Sequence, residues 1–129
     1  MKKSDNNVVS LFEQTNQGVQ KAVLTDSMKM KRGGSLSNPI VAYETWGKLS
    51  KQKDNVVVIL TGLSASSHVA SHSNNSKPGW WEGIVGPDKA IDTNKFYVIC
   101  VNSLGRCFGS TGPASVSYTH LTLPTTLNV

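Results

Sequence analysis

Apolar residues in this chain gather into a few short, unbroken runs rather than into helical stripes. Asn55–Val56–Val57–Val58–Ile59–Leu60–Thr61 is apolar and largely β-branched until Gly62 ends it, and Phe96–Tyr97–Val98–Ile99–Cys100–Val101 repeats the pattern. Continuous hydrophobicity over so few residues predicts strands buried on both faces, as in a parallel sheet covered by helices. Thirty-four residues separate Thr61 from Phe96, enough for the crossover that a parallel pair requires. Two further strands are predicted at 19–24 and 39–45, the second stopped by Gly47. Between them, Lys31–Arg32–Gly33–Gly34–Ser35 offers turn chemistry in which the glycine pair accepts positive φ. These two strands are expected to pair as a hairpin. The fold class expected is α/β, a hairpin leading into a mostly parallel sheet.

The paired tryptophans Trp80 and Trp81 lie between the two runs, and each can bury ~150–250 Å². One is expected to pack on the sheet and the other to cover a loop or cleft. Asp92 and Thr93 suit a turn just before the second run. Residues 1–18 are polar, rich in Asn, Gln and Ser, and predict a flexible arm.

Composition narrows the function classes. The chain has 129 residues and is 38% hydrophobic, which allows one domain and a modest core. No apolar run reaches the ~20 residues that span a bilayer, and residues 8–12 are too short for the apolar region of a secretory signal. A cytoplasmic protein without a membrane partner is expected. The net charge of +5 raises nucleic-acid binding. Only Lys29, Lys31 and Arg32 cluster, however, and no aromatics interleave with them to stack bases, so no nucleic-acid partner is expected. Cys100 sits inside an apolar run and reads as a small buried hydrophobe, whereas Cys107 beside Arg106 lacks a positioned base.

Loops at the carboxyl ends of strands carry function in open α/β sheets. Here those loops read Leu60–Thr61–Gly62–Leu63–Ser64 and Asn102–Ser103–Leu104–Gly105, with Gly109–Ser110–Thr111–Gly112–Pro113–Ala114–Ser115 following. Together with Ala42–Tyr43–Glu44–Thr45–Trp46–Gly47, Pro78–Gly79–Trp80–Trp81–Glu82 and the block from Gly86 to Thr93, they resemble consecutive blocks of the homoserine O-acetyltransferase family. The segment from Leu60 to Ser64, followed by His68, is more similar to the serine O-succinyltransferase branch.

This resemblance implies the amino-terminal part of an α/β-hydrolase fold, truncated, spanning residues 19–115. It also implies ping-pong transfer of an acetyl or succinyl group from acetyl-CoA or succinyl-CoA to the hydroxyl of homoserine or serine, in methionine and cysteine biosynthesis. No permanently bound cofactor is implied, and a homodimer is an open expectation for the parent. The nucleophilic serine of the family sits in a G-x-S-x-G elbow. Gly62–Leu63–Ser64–Ala65–Ser66 comes closest and fails at its last position, so the triad Ser, Asp and His is expected outside this chain, leaving it inactive alone. The position matching the family's oxyanion-hole backbone N–H is Leu63, with Gly62 allowing the sharp turn.

Other signals read as structural. His68 and His72 have helical metal-pair spacing, but no acidic residue or cysteine adjoins them in sequence, so surface or capping roles are expected. The segment from Gly105 through Gly109 to Thr111 lacks the lysine of a phosphate loop, and Glu82 with Asp88 or Asp92 reads as loop capping rather than a catalytic pair. Residues 116–129 are uncharged and resemble nothing in the family, which suggests a frame error, an assembly junction or vector-type read-through. His120 is therefore left out of the functional reading. An esterase of the same fold and a non-catalytic binding protein are the competing readings.

Overall fold

The computed structural model describes residues 18–106 and 108–112. The expected bounds of the arm and the tail, and the placements of Cys107, Ser115 and His120, lie essentially outside that range. Eight strands follow in chain order: β1 (Gln20–Val23), β2 (Met28–Lys29), β3 (Ser35–Leu36), β4 (Ile40–Trp46), β5 (Val56–Leu60), β6 (Val85–Gly86), β7 (Ile91–Asp92) and β8 (Tyr97–Val101).

The main sheet has the order β1-β4-β8-β5. β1 and β4 form the expected antiparallel pair, with Gln20 opposite Tyr43. The excursion between them is itself a small β2–β3 hairpin, turned by Gly33 and Gly34 at φ of 101° and 80°. The two apolar runs lie side by side as the parallel pair β5–β8, Val58 opposite Ile99. β4 meets β8 antiparallel, with Thr45 opposite Ile99. The sheet is therefore mixed, and two of its three pairings are antiparallel. That corrects the expectation of a mostly parallel sheet: the hairpin strand β4 inserts directly beside β8.

Among the described residues there is no helix, so only the sheet of the expected α/β architecture is seen. The crossover from β5 to β8 is made of turns and the short parallel pair β6–β7. It covers one face of the sheet. The core gathers Trp46, Ile59, Val69, Ala70, Val85, Val98 and Cys100, with Val57 and Ile91 against it. The other face of β5 stays open, Val56, Val58 and Leu60 being 41%, 57% and 79% exposed. Burial on both faces, expected from the unbroken run, is thus met on one face only among the described residues.

The tryptophan expectation is corrected as well. Trp46 is the core indole, its Nε1 donating to Ala70 O at 3.1 Å. Trp80 and Trp81 stack on each other at 5.3 Å and remain half-exposed, with Trp80 Nε1 donating to Ser66 O. Gly47 ends β4 in the left-handed region, where a Cβ would come within 2.2 Å of Phe96 O. The turn before β8 forms where expected: Asp92 O accepts from the N–H groups of Lys95 and Phe96.

Candidate functional site

Because β5 and β8 are parallel, the loops that follow them leave the sheet at the same end. They touch there. Thr61 Oγ1 and Ser103 Oγ lie 3.4 Å apart, and Arg106 Nη1 donates to Gly62 O at 2.5 Å. Leu63 projects outward and is 94% exposed. The backbone N–H groups of Leu63, Ser64 and Ala65 donate to no described residue. Gly62 does not occupy the left-handed region and a Cβ there would meet open space. The turn therefore does not depend on glycine's freedom, contrary to the expectation.

Beneath these loops lies a buried polar cluster centred on Glu44. In β4 the residues Ala42, Glu44 and Trp46 alternate inward, so a carboxylate stands in the middle of an otherwise apolar face at 1% exposure. Its Oε2 accepts from Ser67 Oγ at 2.7 Å. Its Oε1 lies 2.9 Å from both His68 Nδ1 and His72 Nε2. Asn102, the first residue after β8, closes the cluster: its Oδ1 accepts from Ser67 N at 2.7 Å and its Nδ2 donates to Ser67 Oγ at 2.8 Å.

The partners assign the protons. His68 Nε2 faces the carbonyl of Lys77 at 2.7 Å, and a carbonyl only accepts, so that nitrogen bears hydrogen. His68 Nδ1 faces the Glu44 carboxylate, which favours a second proton. Burial pulls the pKa of His68 down, but the hydrogen bonds to Glu44 and Lys77 and the Glu44 and Glu82 charges outweigh it, leaving it raised. His72 Nδ1 accepts from Asn74 N, which places its hydrogen on Nε2, toward Glu44.

The two histidines are thus not surface or capping groups. They share a carboxylate supplied from 24 and 28 residues away in sequence. Glu44, His68 and His72 are the metal-type cluster found among the described residues. With hydrogens on the ring nitrogens that face Glu44, the three side chains form a hydrogen-bond network around the shared oxygen. Nor is it a nucleophile relay: among the described residues, neither imidazole is hydrogen-bonded to a serine hydroxyl, the Ser66 hydroxyl meeting only the main-chain N–H of His68.

The remaining sequence signals serve the frame. Ser110 Oγ accepts from Ala42 N and donates to Asn102 O, while Thr111 bonds Ile40 through both its main chain and its hydroxyl. The phosphate-loop-like segment thereby extends the line of β8 along β4. Glu82 accepts from Ser71 N, Ser71 Oγ and Gly79 N, which hold its carboxyl down to about 2. Asp92 caps the Asp88–Asn94 turn. Cys100 is fully buried, and desolvation with the nearby Glu44 charge pushes its thiol up to about 12. No helix of the described residues is long and apolar enough to cross a membrane.

Sequence reasoning assigned no role to Glu44, Ser67 or Arg106, and reached Asn102 only as the head of a loop at a strand's carboxyl end. For Glu44 a signal existed: a charged residue sits between Ala42 and Trp46 on one side of an alternating strand. Nothing in sequence marks Ser67 or Arg106.

No family model matches the chain. The serine O-succinyltransferase of Frateuria aurantia is 62% identical over 93 residues, covering 71% of this chain and 25% of that protein. Among solved structures, a homoserine O-acetyltransferase from Bacillus anthracis is similar at a TM-score of 0.67 and 34% identity, covering 76% of this chain and 28% of its own. The esterase E22 gives a TM-score of 0.63 at 37% identity, covering 76% and 29%. The chain spans about a quarter of the length of the curated relatives it matches. With 62% identity to one of these enzymes over 71% of this chain and a fold similar to another at a TM-score of 0.67, the chain belongs to the homoserine O-acetyltransferase family, serine O-succinyltransferases included.

Proposed function

We propose that residues 18–112 supply the sheet and two site loops of an acyl-CoA-dependent O-acyltransferase whose acceptor is the hydroxyl of an amino acid. Serine with succinyl-CoA is the first pairing to test, and homoserine with acetyl-CoA the second. The observation that carries this reading is the 62% identity to a serine O-succinyltransferase over a stretch of 93 residues. The acyl-CoA acts as a substrate, and no resident cofactor is required.

In this reading an acyl-serine forms on a nucleophile outside the described residues, assisted by a histidine and an aspartate also outside them. What this chain adds is electrostatic. The N–H of Leu63, which donates to no described residue, offers a main-chain donor to the oxyanion of the tetrahedral intermediate, a role that needs no particular side chain. The neighbouring amides of Ser64 and Ala65 likewise donate to no described residue. The likeness to esterase E22 supports a second reading, acyl transfer to water.

Residues 18–112 can replace the matched stretch of the Frateuria aurantia enzyme. Release of free CoA thiol is then followed with each donor and acceptor, beside hydrolysis of a p-nitrophenyl ester. Acceptor-dependent CoA release on the order of 1–10 s⁻¹ is expected from the chimaera and none from the 129-residue chain. Ester hydrolysis without acceptor-dependent release would establish the hydrolase reading instead.

A further inference from the structure

Ser67 is fixed from three directions inside the protein. Its hydroxyl donates to Glu44 Oε2 on β4, and both its N–H and its Oγ are engaged by the Asn102 side chain at the end of β8. All of these contacts are buried. Asn102 is itself held on every side. Its N–H donates to Ala42 O, its carbonyl accepts from Ser110 Oγ, and its Nδ2 also donates to Phe108 O. A side chain with so little freedom is a reference point rather than a surface contact.

From this geometry we infer that Ser67 is a positioning residue: clamped between Glu44 and Asn102, it sets where the loop after β5 stands against the loop after β8. The inference rests on the acyl-transfer reading of those loops. The loop's first anchor is Leu60, paired with Val101 in the sheet, and its second is Ser67. The main chain between them makes few bonds of its own. The amides of Leu63, Ser64 and Ala65 have no described acceptor, and the Arg106 contact to Gly62 O is exposed. Between Ser67 and those amides only the exposed Trp80 Nε1 contact to Ser66 O intervenes, so a displacement of Ser67 passes to the N–H groups of Ala65, Ser64 and Leu63.

Oxyanion donors act only when their hydrogens meet the developing charge at about 2.7–3.1 Å, and loss of one costs about 10²–10³ in kcat. A shift of about 1 Å in a positioned group costs about 10²-fold. Substrate binding by remote groups does not share that dependence, so KM stays nearly constant when only transition-state contacts are lost.

The test uses the full-length acyltransferase carrying residues 18–112, with Ser67→Ala, Ser67→Thr and Asn102→Ala, assayed below their unfolding temperatures. Amide hydrogen exchange of residues 61–69 is measured in the same proteins. Ser67→Ala is expected to lower kcat by about 10²-fold with KM changed by less than about threefold. Ser67→Thr, which keeps the hydroxyl, restores most of it. Exchange at the bonded amides of the loop, those of Ser67, His68 and Val69, rises at least about tenfold in Ser67→Ala and Asn102→Ala, while β4 and β8 keep their protection.

An unchanged kcat per folded molecule in Ser67→Ala, with the loop still protected, overturns the inference. So does a loss of kcat that Ser67→Thr fails to rescue while loop exchange stays at the parent's rate. If the parent protein itself shows no acyl transfer, the functional reading fails. The exchange measurement then decides the positioning role alone, faster loop exchange upholding it and unchanged exchange overturning it.

Discussion

Replacing Val58 and Leu60 together by threonine should weaken self-association of the 129-residue chain without unfolding it. Both side chains lie on the face of β5 that no described residue covers, and they are 57% and 79% exposed. Full burial of such a side chain contributes about 1.5–3 kcal/mol. Scaled by those exposures, the pair offers about 2–4 kcal/mol to any surface that covers both. Among the described residues β5 is also an edge strand, bonded to β8 alone, so one line of its N–H and C=O groups can pair with another chain.

Threonine keeps the β-branch that a strand favours and removes most of the apolar gain. Its effect on the fold should stay within about 0.5 kcal/mol, since neither side chain belongs to the core. Loss of the whole gain of about 2–4 kcal/mol would weaken association by about 30- to 1,000-fold, which is the upper bound for the threonine pair. Sedimentation velocity across a concentration series reads that shift, and calorimetry on the same samples reads the fold. Two results would refute the reasoning. One is a parent chain that stays monomeric throughout with a sharp unfolding peak, and the other is a double variant that associates as tightly as the parent.

Two further predictions concern the loops that cover the other face. Glu82→Gln should lower the melting temperature at pH 7 but not at pH 2. The native carboxyl of Glu82 is depressed to about 2 from an ordinary 4.5, so its stabilisation is complete above about 4.5 and is lost as pH falls toward 2. A melting-temperature gap that is constant across this range counts against the assignment. Gly79→Ala should destabilise by about 1–3 kcal/mol or more, because the new methyl would stand 2.1 Å from the main chain of Val69. A denaturant midpoint unchanged from the parent's would mean that the close approach is not required.

The strands were legible because each is written locally. The apolar runs at 55–61 and 96–101 announced β5 and β8, and the distance between them announced that they run parallel. The hairpin of β1 and β4 followed from two short runs around a glycine turn. What the sequence hid is what depends on which elements become neighbours. An unbroken run suits two covered faces, but it does not say where the covering elements come from. In the described residues the crossover supplies one cover only.

Trp46 and the pair Trp80–Trp81 illustrate the same limit. Three indoles compete for one core, and the winner sits on the strand placed between β1 and β8. The buried cluster shows most clearly how local and non-local information divide. Alternation along β4 puts Glu44 on the inward side with Ala42 and Trp46. An unpaired carboxylate there would be costly, so partners had to exist. Their identity was set by strand order. Only after β8 settles beside β4, and β5 beside β8, do Ser67, His68, His72 and Asn102 arrive around one carboxyl group. An inward charge in a strand thus predicts that a network exists long before it predicts the members. Here the members bind together the two loops in which the proposed chemistry resides.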